Sequence, residues 1–201
     1  FLKGARPLLR GRPAMANNTQ NVSVGKPMAA GGAFTGPIGT TVPNDATTAL
    51  AAALENLGFV SDEGLTNAIE MDTEEIKDWA GDTVLVVKTS RTETFALTFI
   101  ETNEGVMKVV YGPDNVTVAG AAMTVIHNGK DFPAQLWVFE IAMTGSRVKR
   151  IVVPQATVTE VSEVTYVAGE AIGYGVTLTC TPDSDGNTVY EYIATVVPAG
   201  E

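Results

Sequence analysis

Apolar positions recur with two different spacings along the chain, and the change of spacing predicts where helix gives way to strand. Between residues 46 and 57 the spacing is three or four positions, which predicts one amphipathic helix. Asn44 or Asp45 suits the start of this helix, and Gly58 suits its end. The apolar stripe consists of Ala46, Ala49, Leu50, Ala53, Leu54 and Leu57.

A second, single-turn helix is predicted from Asp72, because Glu75 follows it at the spacing of a capping box. After Gly81 the period shortens to two. The run TVLVVKT is almost continuously apolar and predicts a buried strand. In the next run, RTETFALTFIET, Phe95 and its alternate neighbours share one face, which predicts a strand with one buried side.

The remaining runs predict short strands joined by tight turns. The turn at residues 103–105 predicts a hairpin between RTETFALTFIET and VMKVVYG. Short strands are expected at residues 116–118 and 123–127, followed by a tight hairpin turn at Asn128-Gly129. The run QLWVFEIAM is expected to pair with RVKRIVV, and YGVTLTCT with TVYEYIATVV. The sequence therefore predicts a mainly β protein: an antiparallel β-sandwich or barrel of about ten strands, with one flanking α-helix and a long N-terminal loop or arm.

The N-terminal part has a composition of its own. Residues 1–22 are expected to form an arm and residues 23–201 a single domain. Residues 1–14 carry four basic and no acidic residues and precede Met15, so we interpret them as an upstream extension of the reading frame, with a functional arm as the alternative. Residues 15–43 are rich in Gly, Pro, Asn and Thr, which argues against a helix or a central strand there.

Charge and composition exclude several classes of function. The net charge is -10, and nine basic residues face 23 acidic ones beyond the N-terminal arm, so this body repels nucleic acid. A general DNA-binding module is therefore excluded, whereas a conduit along which DNA slides is not. No apolar run reaches the roughly 20 residues that a membrane helix needs, so no membrane insertion is expected.

No set of residues predicts catalysis, a cofactor or a metal. Pro37 stands where a phosphate-binding loop needs its lysine, and the spacing of Asp183 and Asp185 fits a hairpin turn better than a calcium loop. The only histidine, His127, lacks a nucleophilic partner. The only cysteine, Cys180, alternates with apolar residues, so it is expected to be a small buried side chain. The protein is therefore predicted not to be an enzyme.

The order of several short motifs identifies a family resemblance. These motifs are IGTTVP at residues 38–43, FVSDEGL at 59–65, EEIKDWAGD at 74–82, TETF at 92–95 and the segment 101–112. In this order and spacing they resemble the major tail proteins, or tail tube proteins, of long-tailed, non-contractile bacteriophages (siphophages), in particular those of phages of actinobacteria. The resemblance covers the chain from about residue 36 to its last strand.

The resemblance implies a protein that works by assembly. Six copies would close a ring by joining their inner sheets edge to edge, and rings would stack into a tube in the virion tail, built in the host bacterial cytoplasm. A tape-measure protein, a tail terminator and a distal tail protein would be its partners. Double-stranded DNA would pass through the lumen without specific binding.

Two sets of residues are predicted to serve such a tube. Residues 24–43 are expected to connect rings, and an acidic run is expected to meet a basic cluster of a neighbouring copy. The predicted inter-subunit contacts are Lys26, Pro27, Phe34, Pro37, Ile38, Asp72, Glu74, Glu75, Asp78, Arg147, Lys149 and Arg150. The predicted lumen-facing residues are Glu93, Glu101, Glu140 and Glu160, with an outer solvated face as the alternative for each.

Two other functions remain open at the level of sequence. The inner tube of a contractile tail or of a secretion system would share the same fold. A β-sandwich module that binds carbohydrate, as in an adhesin, would need exposed aromatic residues on loops, whereas Trp79 and Trp137 lie in or beside predicted regular elements.

Overall fold

The computed structural model describes residues 17–28 and 31–196, so the expectations for residues 1–14 fall outside the described part. Within it lie eleven strands and one α-helix, which confirms a mainly β, antiparallel fold with one short helix. The strands are β1 Gly25–Pro27, β2 Ala33–Pro37, β3 Glu55–Asn56, β4 Val60–Lys77, β5 Thr83–Phe99, β6 Val116–Ala119, β7 Ala122–Val125, β8 Gln135–Met143, β9 Arg147–Val161, β10 Tyr174–Cys180 and β11 Tyr190–Thr195. The helix is α1 Glu104–Tyr111.

The hairpin of β8 and β9 lies at the centre of the main sheet. It turns at residues 144–146, where Ser146 adopts a positive φ of 54°. Strands β1 and β2 pair in succession along the outer side of β8, and β10 and β11 pair along the outer side of β9. Beyond β10 the sheet continues through β5 to β4, and β3 closes the other end beside β2. Strands β6 and β7 form a separate hairpin.

The main core lies on one face of this curved sheet, under α1. Phe95 stacks on Phe139 with ring centroids 5.5 Å apart, and Trp137 stacks on Phe139 at 6.2 Å. All three side chains are fully buried, and large aromatic groups contribute most to the burial of apolar surface. A smaller cluster on the opposite face joins Leu54 with Leu136, Val138 and Val152.

The helix lies where a strand was predicted, so the expected hairpin of VMKVVYG is wrong. The Asn103 side chain accepts a hydrogen bond from the backbone N–H of Val106 at 2.9 Å and so caps the helix. Gly112 ends it with a φ of 93°. Buried residues such as Val106 and Val110 pack into the core, because tertiary burial overrides the strand preference of β-branched residues.

The helix predicted at residues 46–57 is wrong. The Asp45 carboxylate accepts the backbone N–H groups of Thr47 and Thr48, each at 2.6 Å, but the segment continues as turns. The backbone N–H of Leu57 then bonds to the carbonyl oxygen of Ala33, and β3 pairs with β2. Sheet pairing thus holds the end of the apolar stripe in an extended conformation.

The structure also corrects smaller expectations. The short helix from Asp72 is wrong, because β4 runs through it as strand. Strand β2 pairs with both β3 and β8, although residues 15–43 were expected to hold no central strand. Asn128-Gly129 joins no strands in a hairpin; instead Asn128 exchanges side-chain hydrogen bonds with Asn115. The last two strands are confirmed as strands, but β11 pairs with β9 and not with β10.

Candidate assembly surfaces

A long two-stranded arm extends from the body where β4 and β5 run past the rest of the sheet. The two strands have 18 and 17 residues, whereas strands of globular proteins usually have about 3–10. Residues 66–92 are exposed throughout, on both faces of the pair. An isolated two-stranded hairpin is at best marginally stable in water, so this arm is a candidate surface for contact with a partner.

The arm carries apolar side chains that the described part of the chain leaves in water. The run TVLVVKT forms a strand as predicted, but its expected burial is wrong in the single chain. Val84, Leu85 and Val86 are each more than half exposed. At the turn between the strands, the Trp79 side chain is 103% exposed. Large apolar surfaces of this kind mark interaction sites.

The predicted acidic run lies on this arm. Asp72, Glu74, Glu75 and Asp78 are all exposed, as expected of residues that meet a neighbour. Some of these carboxylates are occupied locally: Ser90 donates to Asp72 at 2.6 Å, and Lys77 lies 3.6 Å from Glu75. The Asp78 carboxylate accepts the backbone N–H of Asp82 at 2.9 Å and shapes the tip.

The base of the arm is fixed by a buried carboxylate. Glu93 accepts hydrogen bonds from Thr188 at 2.6 Å, Arg91 at 2.8 Å and Asn67 at 3.2 Å. Burial raises the pKa of this carboxyl, but the three donors outweigh it and hold the pKa below its ordinary value. The ionised carboxylate therefore stabilises the fold above the ordinary glutamate pKa, and this contribution is lost as the pH falls through the lower, folded-state value.

A threonine-rich surface covers four neighbouring strands on the face opposite the main core. The register places Thr177 beside Ala96 and Thr179 beside Thr94 and Thr157. The hydroxyls of Thr159 and Thr179 lie 2.8 Å apart. We call this surface the threonine face; it consists of Thr66, Ala68, Thr94, Ala96, Thr98, Thr157, Thr159, Glu160, Thr177 and Thr179. Its side chains are half-buried or exposed.

The threonine face has an unusual charge pattern. The strand segments 60–69, 94–98, 155–161 and 174–180 contain no lysine or arginine. Glu160, which was predicted to face a lumen, is exposed on this face. A surface without basic residues offers no fixed positive charge to a phosphate backbone.

An apolar pocket of about 270 Å³ opens between β1, β8 and the base of the arm. Its wall includes Pro27, Val60, Leu65, Leu97 and Ile141. Lys26, one of the predicted contact residues, lies at this pocket and is exposed. Two glycines are closely packed in this wall. A Cβ at Gly25 would lie 2.8 Å from Ile141, and one at Gly32 would lie 2.7 Å from Pro27, so a larger residue at either position would clash.

The predicted basic cluster is placed differently from expectation. Arg150 is only 4% exposed; its Nε donates to Glu140 at 2.9 Å, and its Nη1 donates to the carbonyl oxygen of Asp45 at 2.9 Å. Lys149 forms an ion pair with Glu191 at 2.8 Å, and Arg147 donates to Ser23. These three side chains therefore serve contacts within the chain.

The other predicted residues divide in the same way. Glu140 is engaged by Arg150, and Glu101 accepts the backbone N–H of Phe59 at 2.8 Å. Phe34 packs against the smaller apolar cluster. Pro37 and Ile38 are exposed where β2 ends. A role for any of them between copies stays a prediction.

Among the residues that the structure describes, the chemical groups that would indicate a catalytic or metal site do not come together. His127 stacks on Tyr111 at 4.2 Å, and burial raises the pKa of the Cys180 thiol to about 12. The Asp183 carboxylate accepts backbone N–H groups of Asp185 and Asn187, which confirms a turn. Within the described residues no group of acidic, histidine or cysteine side chains could hold a metal ion, and no helix could span a membrane.

The arm was missed in the sequence for an identifiable reason. Two strand-length runs flank the residues DWAGD, and Gly81 has a φ of 94° at their turn. This pattern is a hairpin signal, but the capping-box spacing of Asp72 and Glu75 favoured a helix instead. The threonine face left a clearer signal in the alternation of Phe95, Leu97 and Phe99 with Thr and Ala.

One comparison with known proteins, the match to a family model, supports a structural role. The family model for phage tail tube proteins matches residues 15–200. Among solved structures, the chain is similar to the anti-feeding prophage cap, a tube terminating cap seen by cryo-electron microscopy, with 16% identity, 90% of this chain and 100% of that chain covered, and a TM-score of 0.40. No curated protein sequence matches the chain.

Proposed function

Because the chain belongs to the phage tail tube protein family, whose members are structural components of the virion tail, we propose that six copies close a ring and that rings stack into a hollow tube that conducts DNA. The motif order favours a tube of the non-contractile, long-tailed type found in phages of actinobacteria. A tape-measure protein, a tail terminator and a distal tail protein complete the tube by the same resemblance.

The observation that carries this proposal is the exposed arm. An arm with open hydrogen-bonding edges and apolar side chains is an aggregation hazard in a free monomer. In a closed assembly the same edges and side chains become the joint between copies. Strand β4 pairs only with β5 among the described strands, so its outer edge is free to pair with a neighbour along the ring.

The arm replaces the predicted connector in this proposal. Residues 24–43 were expected to connect rings, but β1 and β2 within this range pair with β8 of the same chain. We therefore assign the contact between rings to residues 70–92 of the arm. The exposed segment after β2, with Pro37 and Ile38, remains a second contact.

The threonine face is the surface that we assign to the lumen. A duplex that slides through a tube must not be held, and its phosphates bind most strongly to lysine and arginine. This face presents hydroxyl and methyl groups and the carboxylate of Glu160. The carboxylate repels phosphate weakly, and the face has no lysine or arginine that would bind the DNA backbone. Glu93 and Glu140 hold contacts inside the chain, so Glu160 is the acidic residue that we keep for the lumen.

The purified protein is expected to polymerise into hollow tubes at high concentration, which negative-stain electron microscopy detects. Sedimentation should show rings or tubes and a concentration-dependent loss of monomer. The arm-deleted variant that the Discussion describes, taken through the same steps, is the control and should remain monomeric. A wild-type chain that stays monomeric at high concentration, even with tape-measure protein present, contradicts the proposal.

A further inference from the structure

None of the residues that the structure describes fills the pocket at the base of the arm. Its volume of about 270 Å³ lies at the lower end for ligand pockets, so it suits one large side chain better than an extended ligand. Its wall is mainly apolar, and it is open to the surface beside Lys26. A large aromatic side chain is therefore the natural occupant.

The one fully exposed tryptophan of the described chain is at the tip of the arm. Trp79 stands in the turn between β4 and β5 with its whole side chain in water. It cannot reach the pocket of its own chain, because Leu65 lines that pocket and β4 runs extended from there toward the tip. At roughly 3.3 Å per residue, the two positions are about 45 Å apart.

Side chains of opposite charge lie at the two sites. Asp78 and Asp82 flank Trp79, and the residues from 78 to 87 include no lysine or arginine. On the pocket side Lys26 is exposed, while the acidic Glu140 is already engaged by Arg150. An acidic tip that approaches this rim meets an available cation, which orients the encounter.

We propose that Trp79 of one copy inserts into this pocket of a second copy, with Lys26 of the receiving copy facing Asp78 and Asp82 of the arriving arm. The proposal rests on the tube function and names the contact that links copies. Burial of the indole supplies the affinity, and the charge pair fixes the direction of entry, as buried aromatic anchors do in other interfaces.

Tryptophan fluorescence tests the burial of Trp79 in the unmodified protein. Trp137 is fully buried in the single chain, so a change in emission on assembly reports Trp79. We expect the emission to shift to shorter wavelength as tubes form, and iodide to quench tubes less than monomers. Tubes whose tryptophan emission and quenching equal those of the monomer contradict the proposal and leave the tube function intact.

A charge exchange tests which surface receives the tip. Lys26→Glu alone and the pair Asp78→Lys with Asp82→Lys alone should each raise the concentration needed for assembly by about tenfold or more, which corresponds to about 1.4 kcal/mol. The chain with all three substitutions should regain most of the lost assembly. Lys130→Glu, an exposed change away from the pocket, is the control and should assemble like the wild type.

The outcomes separate the two proposals. If the wild type assembles, and the triple variant needs as high a concentration for assembly as Lys26→Glu or the Asp78→Lys, Asp82→Lys pair, then Lys26 does not face the tip and the inference is wrong. If the wild type itself does not assemble, the proposed tube function is wrong. Monomer stability, measured by urea unfolding, should change little in all variants, because every substituted side chain is exposed. The hydrogen bond from the Asp82 backbone N–H that Asp78→Lys removes lies at the exposed tip, away from the core.

Discussion

A chain in which residues 72–90 are replaced by Asn-Gly is expected to fold normally and to form no tubes. Met71 and Arg91 are direct partners in the register of β4 and β5, so a two-residue turn can join them, and Arg91 stays in place to donate to Glu93. The removed residues are exposed on both faces and contribute little to the core. Assembly, in contrast, loses the arm that we assign to the contact between copies, and electron microscopy should show no tubes.

The stability of the shortened chain is the control for this prediction. The free energy of unfolding should change by less than about 1 kcal/mol, which is a shift of roughly 2–4 °C in the unfolding midpoint of a chain of this size. Circular dichroism and thermal unfolding measure both. Tubes of normal length from the shortened chain would show that the arm is not the joint.

Replacement of Arg150 by methionine is expected to destabilise the monomer by about 3–5 kcal/mol. The substitution leaves the Glu140 carboxylate, whose side chain is only 12% exposed, without its cation. It also removes the hydrogen bond to the carbonyl oxygen of Asp45. Breaking one side of a buried ion pair costs this much because the remaining charge stays desolvated, and urea unfolding of the monomer measures it.

Lys149→Met is the matched control, since Lys149 is the adjacent residue on the same strand. Its ion pair with Glu191 is partly exposed on both sides, at 24% and 47% of the side chains. Exposed pairs contribute about 0–1 kcal/mol, so the control should unfold almost like the wild type. An equal loss of unfolding free energy in both variants would contradict a buried structural role for Arg150 and would favour the predicted contact between copies.

The strands and their faces could be predicted from the sequence because alternation is a local signal. Phe95, Leu97 and Phe99 are buried as expected, and the hairpin of β8 and β9 turns where expected. Local patterns gave wrong predictions where pairing between residues far apart in the sequence determines the secondary structure. The stripe at residues 46–57 has helical spacing, but β3 pairs with β2, and the partner of β3 is set by the whole sheet.

The candidate surfaces were predictable only in part for the same reason. That the acids of the arm meet a neighbour stays a prediction. The burial expected for Val84 to Val87 does not occur in the single chain, and in our proposal a second copy supplies it. Arg150 was assigned to an interface because its charge stood out in an acidic chain. Its partner, Glu140, lies directly across the strand pair, and only the register reveals it.

A helical reconstruction of the tubes by electron cryomicroscopy tests the central claim most directly. The account predicts the threonine face on the inner wall, with Thr177 and Thr179 facing the lumen, and the arm of each copy buried against a neighbour. A reconstruction with this face turned outward, or with the arms free in solvent, would contradict it.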